Sequence, residues 1–248
     1  MRMVYNSLFQ RLTQALLPFR CLLCLAPCEH HAQICLPCRD DLPRISSPCE
    51  QCALPLPNLT QSRFCAHCLH RTPAFSHTFC PFLYAFPVSR LIAKFKHQQQ
   101  FALGHLLAQL WLEDYLQSPT RATPALLMPV PLHRQRRWTR GFNQSRLLAE
   151  TWSKALDIRL HDDLYRRRDT PSQQGLSAIQ RRRNLRGAFA ISHPELVRGK
   201  HIALVDDVMT TGTTANALAA ILLRAGATRV DIWCLARTPA PARRDQQE

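Results

Sequence analysis

A chain of 248 residues has room for a medium-sized domain and a small one, and a hydrophobic content of 46% excludes disorder as its general state. No apolar run approaches the roughly 20 residues that cross a bilayer, so no membrane span is predicted. Lys and Arg total 32 against 17 for Asp and Glu, a net charge of +15 that concentrates polyanions around the molecule.

The composition changes near residue 75 and divides the chain into four parts. In residues 1–18, Val4, Leu8, Leu12 and Leu16 repeat at helical spacing, which predicts an amphipathic helix packed on the protein. Arg2, Asn6, Gln10, Arg11 and Gln14 interrupt this stretch, so it lacks the apolar segment of a secretory signal. A cytoplasmic location is expected, and there cysteines bind metal rather than pair with each other. Residues 19–72 are read as a Cys-rich zinc-binding module, residues 78–238 as an α/β domain, and residues 239–248 as a flexible tail.

The module contains four Cys-x-x-Cys knuckles: Cys21 and Cys24, Cys35 and Cys38, Cys49 and Cys52, Cys65 and Cys68. Each supplies two thiolates from a tight turn, and two knuckles close a tetrahedral zinc site with no position left for substrate. Eight thiolates suit two zinc ions. Sequential pairing of the knuckles is simplest, and crossed pairing is the alternative. Cys28, His30, His31, His67 and His70 are read as bystanders. A segment this short buries too little core to fold without metal. Cys80 and Cys234 lie in apolar runs and are expected to be small core residues.

In the second domain, residues 88–116 read as helix with a polar interruption at 96–100, and residues 125–128 as a short strand ending at Pro129. Residues 142–156 are helical, with Leu147, Leu148, Ala149 and Trp152 on the apolar side. Residues 157–190 are expected to form a long functional loop or hairpin. A strand at 201–205, a helix at 213–225 and a strand at 230–235 follow. Strands alternating with helices imply a mostly parallel sheet covered on both faces, with ligands beyond the carboxyl ends of the strands.

The stretch that carries chemistry runs from His201 to Ala215. An apolar strand ends in Asp206 and Asp207, and a small loop of Thr210, Thr211, Gly212, Thr213 and Thr214 leads into a helix. Gly212 lets the backbone turn tightly, and amides at a helix N-terminus favour a phosphate. The two acids can accept from vicinal sugar hydroxyls, directly or through a hydrated divalent ion. Thr-Gly-Thr alone reads as an ordinary capped helix. The whole order of strand, acid pair, hydroxyl loop and helix points to a phosphorylated ribose.

Arginine concentrates nearby in three clusters: Arg134, Arg136, Arg137 and Arg140; Arg166, Arg167 and Arg168; Arg181, Arg182, Arg183 and Arg186. Trp138 and Phe142 lie beside the first cluster. Aromatic rings among guanidinium groups suit unpaired bases on a phosphate backbone, and core packing is the equal alternative for these two rings.

The segment Leu204-Val-Asp-Asp-Val-Met-Thr-Thr-Gly-Thr-Thr resembles the signature of type I phosphoribosyltransferases. With the Cys-x-x-Cys module, Pro129-Val-Pro-Leu-His, Arg140-Gly-Phe-Asn-Gln, Arg168-Asp-Thr-Pro-Ser-Gln-Gln-Gly-Leu and Arg182-Arg-Asn-Leu-Arg-Gly-Ala-Phe, residues 19–237 resemble the ComF/GntX family of competence and DNA-utilisation proteins. The resemblance implies a type I phosphoribosyltransferase-like sheet flanked by helices. It assigns the ribose of phosphoribosyl pyrophosphate to Asp206 and Asp207, and the 5′-phosphate to residues 210–214. It makes the turn through Val130, Leu132 and His133 the pyrophosphate loop, with Arg134, Arg137 and Arg140 near the pyrophosphate or a nucleic-acid backbone. It also implies Mg2+ between ribose and pyrophosphate oxygens, single-stranded DNA as a partner, and possible DNA-uptake proteins. Transfer of phosphoribosyl to an amine or base, or ligand sensing without turnover, are the alternative functions.

Overall fold

A computed structural model describes residues 20–28, 33–57, 62–118, 122–132, 141–167 and 187–240. The chain divides into two compact units, residues 1–42 and 43–248. The predicted helix at 1–18 and residues 241–248 lie outside the described residues.

In the first unit, Arg20 bridges Pro27 and the Cys21 amide donates to the Ala26 carbonyl at 2.8 Å, closing a turn with Leu25 at φ 65. Cys35 then caps the short helix α1, Leu36–Asp40. The second unit opens on the same design. Pro48 bridges Pro55, the Cys49 amide donates to the Leu54 carbonyl at 2.8 Å, and Ala53 has φ 53. Cys65 caps α2, Ala66–His70.

The rest of the second unit is built on strands β1 (His77–Phe79), β2 (Phe82–Leu83), β3 (Leu126–Pro129), β4 (Arg159–Leu160), β7 (His201–Met209) and β8 (Arg229–Arg237). They form one parallel sheet in the order β1-β8-β7-β3-β4, with β2 also on β8. Strands β5 (Leu164–Arg166) and β6 (Phe189–Ile191) make a separate antiparallel ladder, which meets the expectation of a hairpin in 157–190. A strand covered on both faces is continuously apolar. Ile202, Ala203, Leu204 and Val205 accordingly have no exposed surface.

Among the described residues four helices cover the sheet: α3 (Val88–Gln98), α4 (Phe101–Gln117), α5 (Gln144–Leu156) and α6 (Thr213–Arg224). The polar interruption in 88–116 is the break between α3 and α4, where Gln99 turns left-handed at φ 53. Trp111 of α4 stacks on Trp152 of α5 at 3.8 Å and meets Trp233 of β8 at 5.0 Å. Their polar edges are used. Trp111 Nε1 donates to the Cys234 carbonyl and Trp152 Nε1 to that of Ala108, both at 3.1 Å. A second buried cluster joins Ile202, Leu204, Ile232 and Cys234 to Leu218 and Leu222 of α6. Cys80 and Cys234 are buried in it, as their apolar surroundings imply.

At the opposite end of the sheet from the strands' carboxyl ends, Asp231 is buried between His201 and Arg229. Its carboxylate meets His201 Nε2 at 2.9 Å and Arg229 Nε at 2.9 Å. Burial pushes the Asp231 carboxyl up, but the hydrogen bonds from His201 and Arg229 outweigh it and hold the group below the usual carboxylate range. A depressed folded-state value contributes stability above the unfolded value near pH 4 and loses it as pH falls through the folded value. Asp231→Asn is therefore expected to destabilise the second unit by about 1–3 kcal/mol at pH 7, with a smaller difference below about pH 4. Urea unfolding of both proteins at the two pH values measures this.

Candidate functional site

Strand β7 runs past the point where the apolar sequence ends. Its ladder with β8 continues through Asp206↔Cys234, Val208↔Ala236 and Met209↔Arg237, so the two acids lie inside the strand rather than in the loop after it. The sequence misplaces that boundary because β8 extends to Arg237, two residues beyond its expected end. On the other side β3 stops at Pro129, paired with Val205, and the Val130 amide makes one further bond to the Val205 carbonyl at 2.9 Å. From Asp206 onward β7 has lost that neighbour. This step in the sheet edge is the kind of crevice in which parallel α/β sheets bind ligands.

Asp206 and Asp207 are held by different elements. Asp206 Oδ1 accepts from Ser145 Oγ of α5 at 3.0 Å and from the Asp207 amide at 2.9 Å. Asp207 Oδ1 accepts from the Val208 amide at 2.7 Å, and Lys96 Nζ of α3 lies 2.7 Å from its Oδ2. That contact is an ion pair rather than an aligned hydrogen bond, since Oδ2 has no partner in hydrogen-bond geometry. Burial and the adjacent Asp207 carboxylate raise Asp206 from the ordinary carboxylate range to about 7, against the opposing pull of Lys96 and Ser145.

Beyond Met209 the chain turns through Thr210 and Thr211, both exposed, and Gly212 caps α6 in the left-handed region at φ 72. The positive φ favours glycine there, and a Cβ would come 2.7 Å from the movable Met209 Cε. Thr211 and Thr213 share a hydroxyl hydrogen bond of 2.7 Å. The first-turn amides of a helix have no partner within it, and here they follow directly on the hydroxyl loop. Residues 210–214 therefore set exposed hydroxyls and a helix N-terminus directly after the strand that carries the acid pair.

The turn expected to hold pyrophosphate starts at the same step. Asn143 Nδ2 donates to the Val130 carbonyl at 3.1 Å, and Asn143 Oδ1 accepts the Ser145 amide at 3.1 Å as the cap of α5. One side chain thus ties Val130 to the residue that holds Asp206. Val130 and Leu132 are half-buried there. His133, Arg134, Arg136, Arg137, Trp138 and Arg140 lie outside the described residues, as do Arg168 and the cluster at 181–186. Phe142, half-buried, packs on Phe95 at 5.5 Å and Phe101 at 5.0 Å. A cavity of about 890 Å³ between α5 and β5 reaches Leu132, Asn143, Arg146 and Tyr165 but neither acid.

Sequence reasoning missed Lys96, Asn143, Ser145 and Arg237. Lys96 carried a signal: it continues the i, i+4 row of Val88 and Ile92 on the buried face of α3. Arg237 is a buried charge closing an apolar strand. Its Nε donates to the Cys52 carbonyl at 2.9 Å, and its Nη1 reaches the carbonyls of Met209 at 3.2 Å, Thr238 at 2.8 Å and Thr210.

The eight knuckle cysteines fall into two groups, Cys21, Cys24, Cys35 and Cys38, and Cys49, Cys52, Cys65 and Cys68, with all four sulfurs of each within 4.8 Å of one another. Pairing is sequential. Cys24 and Cys35 sulfurs are 3.6 Å apart, as are those of Cys52 and Cys65, close to the roughly 3.8 Å edge of a tetrahedral zinc–sulfur site. The Cys65 amide donates to Cys49 Sγ at 3.2 Å, a bond that favours thiolate. Both groups fit structural zinc. Cys28, His67 and His70 belong to neither group, and His30 and His31 lie outside the described residues.

Among known families, the phosphoribosyl transferase domain matches residues 143–248 and the double zinc ribbon domain matches residues 12–69. The DNA utilization protein YhgH of Escherichia coli K12 is 38% identical over 229 residues, 89% of this chain and 98% of its own. Competence protein F of Haemophilus influenzae is 36% identical over 227 residues, 88% of this chain and 97% of its own. A solved structure, glutamine phosphoribosylpyrophosphate amidotransferase from B. subtilis, aligns with a TM-score of 0.34 and 23% identity, over 53% of this chain and 24% of that one. The α/β class expected from sequence, a mostly parallel phosphoribosyltransferase-like sheet after a Cys-rich zinc module, is the class observed.

A carboxyl raised on folding contributes stability below its unfolded value near pH 4 and loses it as pH rises through its folded value, here about 7. Asp206→Asn removes that loss. The variant is expected to melt at least about 2 °C above the parent at pH 8, with the gap closing towards pH 4. Thermal unfolding across this range checks the sign.

Proposed function

The chain belongs to the ComF/GntX family of DNA-utilisation and competence proteins, and on that premise we propose that it binds phosphoribosyl pyrophosphate with Mg2+ and contacts single-stranded DNA. The observation that carries the ligand is the step at the sheet edge, where Asp206 and Asp207 adjoin the hydroxyl loop and helix start at 210–214. Asp206 and Asp207 accept from the ribose 2′- and 3′-hydroxyls. Thr210, Thr211, Gly212, Thr213 and Thr214 hold the 5′-phosphate by amides and hydroxyls. The turn from Val130 through Leu132 and His133 receives the pyrophosphate, with Arg134, Arg137 and Arg140 supplying positive charge. Mg2+ spreads the charge of the pyrophosphate and would be held near the same acid pair, whose oxygen donors suit a hydrated hard cation.

The DNA contact is supported by the net charge of +15 and by three arginine clusters between residues 134 and 186, interleaved with Trp138. Zinc thiolate chemistry favours a reducing compartment, which supports a cytoplasmic location. Among the described residues no helix is long and apolar enough to cross a membrane. Proteins that deliver DNA to the cytoplasm are the partners this reading implies.

In calorimetry, phosphoribosyl pyrophosphate with Mg2+ should bind the parent, and Asp206→Asn with Asp207→Asn should abolish the heat while zinc content stays unchanged. Unaltered affinity in the double variant removes the site assignment. For DNA, fluorescence anisotropy on a short single strand should show affinity falling steeply with salt. Replacing Arg134, Arg137 and Arg140 by Ala should lower the log–log salt slope by about 2, at about 0.7 per phosphate contact. An unchanged slope excludes this cluster from the contact.

A further inference from the structure

The second four-cysteine group does more than fold a ribbon: it lies under the turn at residues 210–214. Cys49, Cys52, Cys65 and Cys68 are each no more than 5% exposed and share one buried cluster with Phe75, Met209 and α6. One set of bonds joins this ribbon directly to the turn after β7, and two more tie residues 74–78 to the ribbon and to the first turn of α6. Arg237, 6% exposed, links the Cys52 carbonyl to those of Met209 and Thr210 through one guanidinium group. Gln51, between the ligands Cys49 and Cys52, donates to the Phe75 carbonyl at 3.0 Å and accepts from Thr78 Oγ1 at 2.7 Å through its own carbonyl. The Ala74 amide donates to Asn216 Oδ1 in the first turn of α6 at 2.7 Å, and Phe75 lies under Gly212, 3.8 Å from a Cβ built there.

We propose that Arg237 is a positioning residue through which the second zinc ribbon sets the backbone of the phosphate cradle. Resting on the reading that residues 210–214 hold the 5′-phosphate, it makes metal at Cys49, Cys52, Cys65 and Cys68 a requirement for ligand affinity as well as for the ribbon. The physical argument is one of fixed points. A knuckle closed on zinc has a rigid backbone, so its carbonyls are anchored. A guanidinium is planar and presents its donors in a fixed fork, so it passes the anchor's position on with little slack. The loop's amides then point outward, because their own carbonyls are held from below. Lysine keeps the charge but loses the fork, and glutamine loses both.

The test uses the full chain with both zinc sites loaded and reads three quantities in Arg237→Gln and Arg237→Lys: zinc content, amide hydrogen exchange of residues 209–214, and affinity for phosphoribosyl pyrophosphate with Mg2+. In Arg237→Gln we expect zinc unchanged, faster exchange confined to this turn, and affinity reduced at least about tenfold. Arg237→Lys should recover part of both losses. Cys68→Ser, which opens the second site, should reproduce the faster exchange, whereas Cys38→Ser, which opens the first, should not. Slow exchange and parental affinity in Arg237→Gln overturn the proposal, as does an equal effect of Cys38→Ser and Cys68→Ser. If the parent itself fails to bind the ligand, the reading of the cradle fails, and the exchange measurements still decide the coupling.

Discussion

Two adjacent carboxylates at the end of a central strand are the constraint around which the second unit is arranged. Charges at such a position cost several kcal/mol unless they are paired and hydrogen-bonded. The surroundings meet that demand from several directions: Lys96 from α3, Ser145 from α5, and the strand's own amides at Asp207 and Val208. Asp207 pairs with Lys96 and accepts the Val208 amide. Asp206 accepts from Ser145 and the Asp207 amide, and its carboxyl still rises to about 7. The shift follows from its burial beside a second carboxylate.

The helices on that side follow from the same demand. α3 must bring a lysine to the sheet edge, and it does so by packing Val88, Leu91, Ile92 and Phe95 inward. Gly104 of α4 leaves room for the Phe95 ring, which a Cβ would meet at 2.5 Å. α5 must begin at the level of Asp206, and Asn143 fixes its first turn while holding the Val130 carbonyl. The stacked tryptophans behind them hold α4 and α5 together on the sheet.

Much of this was legible in the chain. The apolar run 202–205, the acid pair and the Thr-Gly-Thr turn fix a strand, a site and a helix start in one short segment, because each residue type there has few other uses. The cysteine spacing gave the metal sites, although only the fold selects sequential pairing. Less visible were groups whose role depends on distant segments. Ser145 is a plain helix residue until β7 is placed beside it, and Arg237 touches Cys52 across 185 residues of sequence. The end of β7 was misjudged for the same reason: strand length is set by the neighbour, and β8 runs on to Arg237.

The two ribbons share one turn design but not one environment. In the first, Cys24 is exposed and Cys35 and Cys38 are half-buried, while all four sulfurs of the second are enclosed by the sheet's own core. Zinc leaves a thiolate site by stepwise attack of a competing ligand or an oxidant, and each step needs access. The two ions would therefore differ in lability: the outer one trades readily with chelators and peroxide, and the inner one escapes only when the domain opens.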